Sequence, residues 1–115
     1  QGKSITNEGV LAALKINDNP DPAYRKCVQY LREKIESADE AWLKKFVFSI
    51  TGKSTLDASA KIQISRSHRD SNVFEIHTCF NSLDIPKNMV DNDELKDAFL
   101  SGLDSIINSE GYNIA

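Results

Sequence analysis

Two strand-like stretches flanking a cysteine constrain this chain more than any other feature. From Val73 to Thr78 the residues alternate, with Phe74, Ile76 and Thr78 on one side and Val73, Glu75 and His77 on the other, the period-two pattern of a half-buried strand. Leu83 and Ile85 repeat the alternation until Pro86, which has no backbone N–H to give to a sheet ladder. Cys79 therefore falls at or just past a strand end, inside a short polar connection. A thiol there is accessible, whereas cysteines with only a structural role sit mostly in apolar interiors.

At 115 residues the chain has the length of a single domain, 1–115, which buries roughly two-thirds of its unfolded surface without metal or disulfide support. Thr6 is placed to cap a short helix carrying Val10, Leu11 and Leu14, with Asn17-Asp18-Asn19-Pro20 stopping it. Asp21 caps a second helix, and Pro22 takes its first position, where a missing N–H costs nothing. Tyr24, Val28, Leu31 and Ile35 form the buried stripe of that helix, and Cys27 on its flank belongs to the core. Ser37 and Glu40 have capping-box spacing ahead of a third helix. Trp42, Leu43, Phe46, Val47 and Ile50 are its apolar face, and Thr51-Gly52 ends it.

Ala60, Ile62 and Ile64 alternate as a strand, and Arg66 to Asn72 reads as a solvated hairpin connection to the next one. Beyond Pro86, Asp91 and Glu94 repeat the capping-box spacing before a last helix. Leu95, Phe99, Leu103 and Ile106 make its stripe, widened by Leu100 and Ile107, and an end near Gly111 leaves residues 112–115 as a tail. The expected fold is α+β: a small antiparallel sheet of three or four strands packed with about four helices.

Composition narrows the functional classes. A net charge of −3 leaves no basic footprint for nucleic acid, and no run approaches the ~18 apolar residues of a membrane span. Gln1-Gly2-Lys3-Ser4 is no signal peptide, and the missing initiator Met suggests a fragment, a tag remnant or a processed start. Two cysteines in unrelated settings read as reduced thiols of a cytoplasmic or nuclear protein. Gly52-Lys53-Ser54 fails as a phosphate loop, because Val47 stands where the earlier glycine belongs and the segment closes a helix instead of opening one. A papain-type protease wants a histidine well downstream, and none follows Cys79. The two cysteines and two histidines lack the paired spacing of a zinc site, and no Cys-x-x-Cys redox pair occurs. Neither a cofactor nor a metal is expected.

The run His77-Thr78-Cys79-Phe80-Asn81, followed by Leu83, Ile85 and Pro86, resembles the active-site motif of HECT-type ubiquitin ligases. The resemblance extends to the apolar helix ending in Thr51-Gly52 and to Tyr112, which stands fourth from the end, where that family carries an aromatic residue. It spans roughly Ala23 to the end and implies the α+β architecture of the HECT C-terminal lobe with a natural C-terminus. It further implies ubiquitin carried as a thioester on Cys79, received from a conjugating enzyme recruited by a separate N-terminal lobe, and passed to a lysine of a protein substrate. His77 is then either a local acid–base or orienting group or a structural hydrogen-bonding one. Thr78 and Asn81 are polar supports, Phe80 is packing, and Tyr112 helps position the transfer. The chain departs from the family pattern at Ile76, at Lys87-Asn88 after the proline, and in a tail, Asn113-Ile114-Ala115, without an acid. The acid that assists lysine attack is therefore unassigned, with Asp104, Glu110 or a group outside the chain as candidates. The alternative function is a catalytically silent module of the same fold that binds ubiquitin or another protein.

Overall fold

The computed structural model of the chain describes residues 4–114, with side chains from 4 to 109. The elements run α1 (Asn7–Ala13), β1 (Leu14–Ile16), α2 (Pro22–Ser37), α3 (Glu40–Thr51), β2 (Ile62–Arg66), β3 (Glu75–His77), β4 (Ser82–Ile85) and α4 (Leu95–Ile114), with a 3-10 turn, Thr78–Phe80, between β3 and β4. The fold is α+β, as the periodicity implies, with four helices and a four-stranded sheet.

Local chemistry explains most helix ends. Gly9 N–H donates to Thr6 Oγ1 (3.0 Å) at the start of α1, and Tyr24 N–H donates to Asp21 Oδ2 (2.9 Å) at the start of α2. Gly52 closes α3 at φ 74°, where a side chain would be strained. Three expectations are corrected. The cap of α3 is Asp39, whose Oδ1 accepts from Trp42 N–H at 2.9 Å. Ser37 instead ends α2, donating its hydroxyl to Glu33 O. Before α4 it is Asn92 Oδ1 that accepts from Glu94 N–H, while Asp91 pairs with Lys26. Finally, α4 does not stop near Gly111 but runs to Ile114.

The sheet is mixed, not wholly antiparallel. Its order is β1-β2-β4-β3, with β1 parallel to β2, β2 parallel to β4 and β3 antiparallel to β4. Two connections account for this. Between β1 and β2 lie α2 and α3, a crossover long enough to return the chain in the same direction. Between β2 and β3 the chain passes the position that β4 later fills, so residues 66–72 are no hairpin, and Ser67 within them is buried. β1 itself follows α1 without a break and takes Leu14, expected in the helix.

Ile62, Ile64, Leu83 and Ile85 are fully buried and form the floor of the core. Over them lie Cys27, Leu31 and Ile35 of α2, Leu43, Phe46, Val47 and Ile50 of α3, and Leu95, Phe99, Leu103 and Ile107 of α4. The stripe of α4 thus continues through Ile107, with Ile106 only partly covered. Gly102 makes room for Phe74, since a Cβ there would stand 2.6 Å from the ring. Alternate residues of the strands, Gln63, Ser65, Glu75, His77, Ser82 and Asp84, are less deeply buried, so the sheet's second face is polar. Among the described residues, no helix is long and apolar enough to cross a membrane.

Candidate active site

Cys79 lies at the tip of the antiparallel β3–β4 hairpin, as the alternation on either side of it implies. His77 of β3 is paired with Ser82 of β4, which leaves a four-residue connection to turn the chain. Thr78, Cys79 and Phe80 make a single 3-10 turn, and Asn81 completes it in the left-handed conformation (φ 51°, ψ 50°). Asparagine tolerates that region because its short amide can bond locally. Asn81 N–H donates to Thr78 O (3.3 Å), and Asn81 O accepts from Gln63 N–H (2.8 Å). The second bond ties the hairpin tip to the central strand β2, and α3 packs beside the turn. A flexible loop would not hold a thiol in one place, whereas this turn is fastened at its base.

All three side chains of the turn are exposed. Phe80 is 72% exposed, which corrects its expected role in packing: a one-turn surface connection offers the ring no interior face. The two cysteines, both free, are in opposite settings. Cys27 is fully enclosed, and desolvation by burial, followed by the nearby Asp21 carboxylate, pushes its thiol from 9.0 up to about 12. Cys79 is open to solvent. Only the second can meet a macromolecular partner.

His77 is not held by the turn. Its Nε2 stands 3.3 Å from Asp84 Oδ2 and 3.7 Å from Glu75 Oε1, while Arg69 pairs with the other oxygen of Glu75. Glu75 and Asp84 face each other across the β3–β4 ladder. Sequence spacing alone does not single out the two carboxylates as site residues. The signal was nevertheless present, because Glu75 shares the parity of His77, and Asp84 lies between the core residues Leu83 and Ile85. What was missing was the antiparallel register that brings the strands together. Glu75, His77 and Asp84 are also the described residues whose donor atoms cluster closely enough to hold a cation.

Of the acids considered for assisting lysine attack, Asp104 accepts a hydrogen bond from Trp42 Nε1 (2.9 Å) on the α3–α4 seam. The side chains of Glu110 and Tyr112 lie outside the described residues, although the backbone of both belongs to α4. Compared with models of known protein families and with curated proteins, the chain matches none.

Proposed function

We propose that this domain is a HECT-type ubiquitin carrier in which Cys79 accepts ubiquitin as a thioester and delivers it to a lysine. The observation that carries the reading is the placement of the His77–Asn81 run: it forms a fastened hairpin tip whose cysteine is exposed while the other cysteine is sealed in the core. In the first step the Cys79 thiolate attacks the carbonyl carbon of the ubiquitin C-terminus. A new S–C bond forms, and the conjugating enzyme's cysteine leaves as thiolate. One thioester replaces another, so positioning matters more than strong activation of the nucleophile. In the second step a lysine amine attacks the Cys79 thioester, an amide forms, the Cys79 thiolate departs, and the amine proton passes to a base. His77, held between Asp84 and Glu75, is the nearest imidazole in sequence. Tyr112 would position the acceptor, and Thr78 and Asn81 shape the turn. Ubiquitin, a conjugating enzyme met through a separate lobe and a protein substrate are the partners. Free thiols fit a cytoplasmic or nuclear setting.

Ubiquitin bearing a small-thiol thioester at its C-terminus tests the first step directly, because it needs no recruiting lobe. The native chain and Cys27→Ala should form an adduct that reductant removes. Cys79→Ala should form none, and Cys79→Ser should give at most a reductant-resistant oxyester. An adduct undiminished in Cys79→Ala, or none on the native chain, would overturn the reading.

A further inference from the structure

The polar face of the sheet carries a donor set of which the thioester reading uses only His77. We propose that Glu75, His77 and Asp84 form a binding site for a divalent transition cation of the zinc class. The backbone builds the site: Glu75 and His77 are two apart on β3 and so share a face, and Asp84 is the direct cross-strand partner of Glu75 on β4. Their donor atoms all lie within 4.8 Å of one another. A tetrahedral zinc with nitrogen and oxygen ligands at their usual distances separates neighbouring donors by about 3.4 Å. His77 Nε2 to Asp84 Oδ2 is 3.3 Å and His77 Nε2 to Glu75 Oε1 is 3.7 Å, so one edge of the triangle matches that separation and a second is slightly longer. The third, between the two carboxylates, is no longer than 4.8 Å.

Arg69 strengthens the case, because its guanidinium takes Oε2 of Glu75 and leaves Oε1 turned toward His77. Ligating carboxylates are commonly held this way by an outer partner. The set combines one imidazole nitrogen with two carboxylate oxygens. That mixture favours zinc and its neighbours over magnesium or calcium, which prefer oxygen alone. The side chains of Glu75 and Asp84 are about one-fifth exposed and that of His77 is 43% exposed, so a cation reaches them from solvent and keeps open positions for water. Counting cysteines and histidines along the sequence misses such a site, since two of its three ligands are carboxylates.

The test uses zinc ion alone, titrated calorimetrically into the Cys79→Ser chain so that the exposed thiol takes no part. The His77 ring resonances are followed in parallel. A single equivalent should bind and shift those resonances. Asp84→Asn and His77→Gln should each weaken binding by about tenfold or more, while Asp70→Asn, an exposed carboxylate outside the cluster, should leave it unchanged. Melting of each variant without metal verifies that it is folded, and Glu75→Gln replaces any that is not. Absence of saturable binding, or binding equally tight in Asp84→Asn and His77→Gln, would overturn the proposal and leave His77 as an ion-paired side chain only. Zinc binding is read without ubiquitin, so its failure and the failure of the thioester reading are separate results.

Discussion

The contrast between Cys79 and Cys27 is decided by what surrounds each sulfur. Cys27 loses hydration on every side, which disfavours the charged thiolate and moves its pKa from 9.0 to about 12. A thiol that keeps its proton to higher pH presents far less of the reactive thiolate at mildly alkaline pH. Iodoacetamide at pH 8 should therefore modify Cys79 readily while Cys27 stays intact until the chain unfolds, as mass spectrometry of the two peptides would show. Comparable rates at both thiols would mean that the core between α2 and the sheet opens easily. The same contrast explains why a thioester reading can rest on only one of them.

At the scale of elements, the caps separate sequence spacing from actual geometry. Ser37 and Glu40 have capping-box spacing, yet Asp39 accepts from Trp42 N–H and Ser37 belongs to the last turn of α2. Two helices separated by only Ala38 and Asp39 compete for the same polar residues, and the one with the shortest reach to an unpaired N–H takes the cap. Asp39→Ala should cost about 1 kcal/mol of stability, whereas Ser37→Ala should stay within about 0.5 kcal/mol. Denaturant midpoints at constant slope would distinguish them. Asn7 makes a related contact at this same C-terminal end of α2, its amide donating to both Ile35 O and Ala38 O at 2.8 Å. Those carbonyls have no partner within the helix itself, so α1 is held to α2 by the end that most needs donors.

For the whole molecule, one helical layer seals one face of a mixed sheet, and Tyr24 joins the two layers. Its hydroxyl donates to Asn17 O (2.6 Å) with Ile64 O also in reach (3.2 Å), and burial, then Asp18 and Asp84, raises its pKa from 10.0 to about 12. Tyr24 and Cys27 thus both hold their protons more tightly when folded. Between about pH 9 and 12 the unfolded chain sheds protons that the folded chain keeps, so stability is full below that window, declines through it and levels off above it. Melting temperature measured across this range should fall, and Tyr24→Phe and Cys27→Ala should each flatten the decline. A profile unchanged in both variants would show that neither group is the source.

Local chemistry carried much of this fold. Helices α2 and α3 could be read because a helical stripe repeats within four residues and their ends lie at Asp21-Pro22 and Thr51-Gly52. The core role of Cys27 follows from its place beside that stripe, and the turn around Cys79 follows from alternation on both sides of it. All of these depend on neighbours in sequence. Tertiary structure alone decided the rest. β1 spans three residues, too few to establish a period, and exists because β2 pairs with it. The insertion of β4 between β2 and β3 converts an expected hairpin at residues 66–72 into a crossing connection. The same pairing draws Glu75, His77 and Asp84 together from positions up to nine apart, and it leaves Phe80 in solvent at the tip. Strand order and register are set by contacts between distant segments competing for the same hydrogen bonds and the same buried face, and no local pattern encodes which competitor wins.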